Sequence, residues 1–248
     1  METKTIIVTG ASSGIGKTIA ALFLQQGYQV VINSANEDNL KATFNELGHH
    51  DRLAMVAGNI GDPATGEQLV ETAVTKFGTV DVLVNNAGIF EPKGFLDVDE
   101  AFLDRYLNIN LKGTYFTSQA AIKQMLKQGE GSIINIGTVL VDHAIGGFPA
   151  TAAVVSKGGI HALTRQLAAE FGKNNIRVNG IAPGIIRSPL QGKNGITDAD
   201  SLAGLHLVDR IGETSDVAEL ALYLAGSSFV NGEIINLDGG HVAGHHIG

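Results

Sequence analysis

The chain has 248 residues and no cysteine, which excludes a disulfide scaffold, thiolate metal sites and a cysteine nucleophile. Its 25 acidic residues outnumber 17 basic ones, for a formal net charge of −8, and the basic residues are scattered, so nucleic acid is not an expected partner. Hydrophobic residues make up 44%, enough for a sizeable core, and the 32 glycines, about twice the usual ~7% share, fall in clusters between apolar runs rather than at every third position.

Apolar runs predict strands at 5–8, 30–33, 53–56, 82–85, 132–136, 177–181 and 233–237. Their centres, such as Ile6-Ile7-Val8 and Val82-Leu83-Val84, are continuous rather than alternating, which is the pattern of strands covered on both faces. Helical stretches lie between them, near 15–26, 38–47, 64–77, 99–128, 150–172 and 214–225. Seven strands alternating with six helices imply right-handed crossovers and a doubly wound α/β fold, here a single domain spanning 1–248. The stretch 187–213 breaks the rhythm. It is expected to form a substrate lid with a short helical piece near 199–207, or else a surface insertion. The longest uncharged run, 18–36, is interrupted by Gln25, Gln26, Gly27 and Gln29 and does not read as a membrane span. The N-terminus enters a strand directly, with no signal-peptide pattern, so a cytoplasmic location is expected.

The first strand runs into Thr9-Gly10-Ala11-Ser12-Ser13-Gly14-Ile15-Gly16 and then a helix. Gly10 allows a tight exit from the strand. Gly14 and Gly16 let backbone approach an anion at a helix N-terminus, where free N–H groups and the macrodipole favour a pyrophosphate. A plain strand–turn–helix corner would use the same glycines, so the turn alone does not decide between the two.

Further motifs do. TGASSGIG is followed by Asn85-Asn86-Ala87-Gly88, by Asn108-Ile109-Asn110-Leu111-Lys112-Gly113, and by Ser156-Lys157-Gly158-Gly159. Then come Arg177 to Gly184 (RVNGIAPG), Arg210-Ile211-Gly212 and Asp238-Gly239-Gly240. In this order and over essentially the whole chain, they resemble the classical short-chain dehydrogenase/reductases. The resemblance implies a Rossmann fold with strand order 3-2-1-4-5-6-7 and three helices on each face. It implies an NAD(P)-dependent oxidoreductase that interconverts a small carbonyl and a secondary alcohol by hydride transfer, commonly as a homotetramer, with a dimer next.

The resemblance also assigns residues. Gly10, Ser12, Ser13, Gly14, Ile15 and Gly16 would hold the cofactor pyrophosphate region. Ser34, Asn59 and Ile60 would lie by the adenosine, and Asn86, Ala87 and Gly88 by its ribose. Pro183, Gly184, Ile186 and Ser188 would face the nicotinamide, and Lys157 its ribose. Ser34 stands where an acidic residue would accept from a ribose 2′-OH and repel a 2′-phosphate. Asn59 stands in place of the usual Asp near the adenine. No basic residue in the turn grips a phosphate, so the coenzyme is read as NADP or NAD, with a slight lean to NADP.

In this family a Tyr serves as general acid or base, a Lys four residues later tunes it, a Ser polarises the carbonyl, and an Asn helps hold a relay water. The i, i+4 spacing places the Tyr and Lys on one helix face. Here Lys157 and Asn110 match, and Thr138 replaces the Ser. Four residues before Lys157, however, stands Ala153, which has no ionisable group. The four tyrosines are Tyr28, Tyr106, Tyr115 and Tyr223, and none is in this segment. His143, in the loop after Thr138, is a candidate replacement acid, set against the plainer reading of an exposed loop histidine. His241, His245 and His246 read as a polar tail, and no metal site is expected. Three accounts stay open: an oxidoreductase weakened at Ala153 or rescued by another acid, a dinucleotide-binding scaffold without turnover, and a Tyr-to-Ala replacement made in an active reductase.

Overall fold

A computed structural model describes residues 3–190, 198–244 and 246. Seven strands form one sheet: β1 Thr5–Val8, β2 Gln29–Ser34, β3 Leu53–Ala57, β4 Val82–Asn85, β5 Gly131–Ile136, β6 Ile176–Pro183 and β7 Ile234–Leu237. Their order is β3-β2-β1-β4-β5-β6-β7, and every pair is parallel, as the resemblance implied. Among the described residues the α-helices flanking the sheet are α1 Gly14–Gln25, α2 Glu37–Leu47, α3 Pro63–Phe77, α4 Glu100–Tyr106, α5 Gly113–Gln128, α6 Thr151–Phe171 and α7 Thr214–Gly226. Among the described residues no helix is long and apolar enough to cross a membrane.

The continuous apolar strands are explained by a core on each side of the sheet. On one face Ile6, Val8, Val30 and Ile32 pack with Phe23 and Leu24 of α1, Leu40 of α2 and Val217 and Leu224 of α7. On the other, Ile7, Val31 and Leu83 pack with Leu69 of α3, Ala121 and Met125 of α5 and Ala168 of α6. Neighbouring side chains of a strand thus enter opposite cores, so neither set faces water.

The stretch 99–128 is not one uniform α-helix. Leu107–Lys112, between α4 and α5, is a π-helical segment. Such turns widen the helix by a residue and occur frequently at functional sites. This one carries Asn110, which is fully buried. Farther from the crevice, a buried polar ladder ties the helices to the sheet. Asn85 Nδ2 donates to Ser118 Oγ (2.9 Å) and Asn135 Oδ1 (2.8 Å), and Asn135 Nδ2 donates to Thr164 Oγ1 (2.9 Å). It sits just below the carboxyl ends of β4 and β5, where ligands of such sheets bind.

Candidate active site

The glycine turn is shaped by what surrounds it. Gly10 has φ +65°, and a Cβ there would lie 2.7 Å from Ala87 Cα. A Cβ on Gly16 would lie 2.5 Å from both Asn86 Nδ2 and the Gly10 carbonyl. The run after β4 braces the turn. Asn86 Nδ2 donates to the carbonyls of Thr9 and Gly10, each at 3.0 Å, while Thr9 Oγ1 accepts the N–H groups of Asn86 and Ala87. Helix α1 begins at Gly14 with Ser13 as N-cap, yet the Ser13 side chain makes no capping hydrogen bond and the first turn has no acidic residue. A helix N-terminus left with bare N–H groups and no carboxylate fits a pyrophosphate.

At the end where the adenosine is expected, Ser12 Oγ and Ser34 Oγ are 2.9 Å apart. Asn59 turns back on its own chain, its Oδ1 accepting from Gly61 N–H at 3.0 Å. Ile60 is buried against the backbone of Gly113. The nearest cation in sequence to the turn, Lys17, is engaged with Glu46 at 2.6 Å. No carboxylate thus stands at Ser34, and no side chain among these is committed to gripping a 2′-phosphate.

From the glycine turn a cleft of about 340 Å³ runs toward α6. It is lined by Gly10, Ser13, Gly14, Ile15 and the Asn86-Ala87-Gly88 run at one end, by Pro183, Gly184, Ile186 and Ser188 along one wall, and by Thr138, Ala153 and Lys157. Lys157 Nζ donates to the Ile136 carbonyl at 2.5 Å and faces no carboxylate, and burial pushes its ammonium down to about 8. Thr138 Oγ1 accepts from Leu140 N–H at 3.3 Å, which leaves its own hydrogen to donate. Asn110 Oδ1 accepts from Ile89 N–H (2.8 Å), and its Nδ2 donates to Ile89 O (3.2 Å) and Ser156 Oγ (3.0 Å). A Cβ on Gly88 would lie 3.2 Å from Asn110 Oδ1 and 3.5 Å from Lys157 Nζ, so glycine keeps the space between them open.

Ala153 lies on the cleft wall and packs in a cluster with Tyr106 and Ala152. That neighbouring phenol does not substitute for a missing one. Tyr106 is fully buried, accepts from Glu91 N–H and donates to Glu91 O (3.0 Å), and does not line the cleft. Burial also pushes its phenol above the ordinary value. Tyr115 is exposed on α5.

The histidines are arranged differently from their expected roles. His143 is exposed and outside the cleft lining, as the plainer reading had it, and its ring meets His241 edge-on at 4.9 Å. His241 is no tail residue. It is buried, lines the cleft, and its Nδ1 bonds the Leu205 carbonyl at 2.7 Å. His246 pairs with Asp209 at 3.1 Å, and His245 lies outside the described residues. His206, unforeseen, also lines the cleft, and its Nε2 accepts from Ile185 N–H at 3.2 Å. Ser156, fully buried, links Asn110 to the Ala153 carbonyl and is a second group that residue-by-residue reading passed over. Its place in the Ser156-Lys157 motif was the available signal.

Of the expected lid, 191–197 lies outside the described residues. Its flanks are tied together: Arg187 pairs with Asp200 (2.5 Å) and Glu213 (2.9 Å), Ile186 bridges Gly212, and Ala199–Leu205 is a 3-10 helix.

Residues 10–242 match the family model described as enoyl-(acyl carrier protein) reductase. The chain is 36% identical to the 3-oxoacyl-(acyl-carrier-protein) reductase FabG of Thermotoga maritima, over 98% of this chain and 99% of that one. It is 35% identical to the L-rhamnose 1-dehydrogenase (NAD(P)(+)) of a Sphingomonas species, over 97% and 96%. The solved structure of ElxO with NADP bound superposes with a TM-score of 0.89 at 30% identity, over 98% of this chain and all of that one.

Proposed function

Since the chain belongs to the short-chain dehydrogenase/reductase family, whose NAD(P) cofactor its glycine turn fits, we propose that it interconverts a carbonyl and a secondary alcohol, slowed because Ala153 supplies no general acid. One observation carries this reading: the bare N-terminus of α1, Thr138 and Lys157 open onto the same cleft. The nicotinamide, when bound, supplies or accepts the hydride. The chain's residues handle position and charge. The glycine turn and the Asn86 brace hold the pyrophosphate region, and Ser12, Ser34, Asn59 and Ile60 border the adenosine. Thr138 donates a hydrogen bond to the substrate oxygen as negative charge builds there, and preorganised donors of this kind contribute ~3–4 kcal/mol.

The proton is the weak point. Thr138 cannot give up its proton at neutral pH. His206 and His241 each have one ring nitrogen bonded to backbone and the other buried away from solvent. Lys157 remains as the titratable group at this end of the cleft, reaching the alkoxide through water in the space a phenol would fill. The sign of the pH dependence follows. Carbonyl reduction uses the ammonium and should fall as pH rises through about 8, and alcohol oxidation uses the free amine and should rise through the same range. Lys157→Arg keeps its charge throughout and should erase the inflection in a pH–rate profile. An unchanged inflection in that variant would assign the proton elsewhere.

Calorimetry with NADPH and NADH tests the cofactor half of the reading, and failure of both to bind at millimolar concentration would overturn it. NADP(H) is the favoured form, because no carboxylate at Ser34 repels a 2′-phosphate. Ser34→Asp should move the NADPH-to-NADH affinity ratio toward NADH by on the order of tenfold or more. A second reading rests on Ala153 itself. It is a dinucleotide-binding scaffold without turnover, selected if cofactor binds and no carbonyl is ever reduced.

Assembly belongs to the same proposal. Tyr115 on α5 and Val155 on α6 leave apolar surface exposed on helices already packed on the sheet. A homotetramer built through these helices is expected by light scattering, and a monomer at micromolar concentration would contradict it.

A further inference from the structure

Resting on the proposed reaction in the same cleft, we infer that the substrate is an uncharged, largely apolar carbonyl compound of aryl or alicyclic size, or its alcohol, rather than a carboxylate or a polyol. Beyond Thr138 the cleft is lined by Ile89, Phe90, Leu140, Ile145, Phe148 and Leu190. Phe90 and Phe148 stack nearly parallel, with centroids 5.7 Å apart and an interplanar angle of 13°, and offer flat apolar surface. Among the described residues the only charged side chain in the lining is Lys157, and its hydrogen bond to the Ile136 carbonyl holds it at the reacting end.

Among the described residues, the other polar groups in the lining are engaged elsewhere. Ser13, Asn86 and Ser188 lie by the cofactor region, and Thr138 is assigned to the reacting oxygen. The histidines in the lining hold backbone, with their remaining nitrogens sealed. Ala153 presents a methyl group where the family has a phenol, which makes the reacting end more apolar still. Among the described residues a carboxylate placed against Phe90 and Phe148 would lose its water without gaining a partner, and the hydroxyls of a polyol would find few.

The test compares three ligands on NADPH-saturated protein by ligand-observed NMR: acetophenone, 4-acetylbenzoate, which is the same frame with one charge added, and fructose. Acetophenone should bind on the order of 100-fold more tightly than either of the others. Phe148→Arg, at a half-exposed position, should bring 4-acetylbenzoate within about tenfold of acetophenone. Phe90→Arg is the second variant should the first lose its fold, with NADPH binding as the check on folding. Equal or tighter binding of 4-acetylbenzoate or fructose by the unaltered protein would overturn the inference. Selective acetophenone binding without turnover would support the substrate class and count against the hydride chemistry. Turnover of fructose in preference to acetophenone would do the reverse.

Discussion

Ala153→Tyr should raise the rate of carbonyl reduction by ~10²–10⁴-fold, the usual contribution of general acid catalysis. The groups that would serve a phenol at that position are present. Lys157 follows one helical turn later on the same face, Thr138 and Ala153 line the same cleft, and Asn110 is fixed by its bonds to Ile89 and Ser156. A phenol also removes the need for the proton to travel from Lys157 through water, so the inflection near pH 8 should weaken in the variant. Steady-state oxidation of NADPH against an apolar ketone, on both proteins, measures the effect. Were His143 the working acid, the unaltered chain would already be fast, His143→Ala would abolish its rate and Ala153→Tyr would add little. The exposed position of His143, outside the cleft lining, argues for the first pattern.

Gly16→Ala should weaken NADPH binding at least ~100-fold, about 2.7 kcal/mol. The added methyl would fall 2.5 Å from Asn86 Nδ2 and from the Gly10 carbonyl. The carbonyl belongs to the turn itself, so the amide must move, and its two 3.0 Å bonds to Thr9 and Gly10 are lost with it. Those bonds set the path of the turn whose N–H groups are proposed to face the pyrophosphate. Calorimetry gives the affinity, and a thermal melt shows whether the fold survives. Unaltered affinity in a folded variant would mean that the turn is not the cofactor's cradle.

The strands were legible because a parallel sheet covered on both faces demands continuous apolar centres, and Ile6-Ile7-Val8 and Val82-Leu83-Val84 are such centres. Their spatial order was not written in that periodicity and came only with the motif resemblance. That Ala153 and Lys157 share one helix face was legible from a four-residue spacing, and both line the cleft. The π-turn at Leu107–Lys112 was not legible. Its sequence continues the helical pattern, and what accompanies the extra residue is long-range: Asn110 bonded to Ile89 and to Ser156. His241 was misread for a related reason. Near a chain end, next to glycines and histidines, it looks solvated, and the Leu205 carbonyl and the rings of His206 and His143, from distant segments, are what meet it. His206 gave no signal, since its role depends on the Ile185 N–H coming within reach. The stacking of Phe90 on Phe148 was similarly hidden, because it joins two loops 58 residues apart.

The central claim is that this cleft moves a hydride, however slowly the proton follows. The most direct test is prolonged incubation of the unaltered chain with acetophenone and NADPH carrying two deuteriums at the nicotinamide C4, followed by mass analysis of the alcohol. The account predicts one deuterium on the carbinol carbon, formed slowly by this chain and far faster by Ala153→Tyr. No deuterated alcohol from either protein, with NADPH and acetophenone shown to be bound, would contradict it.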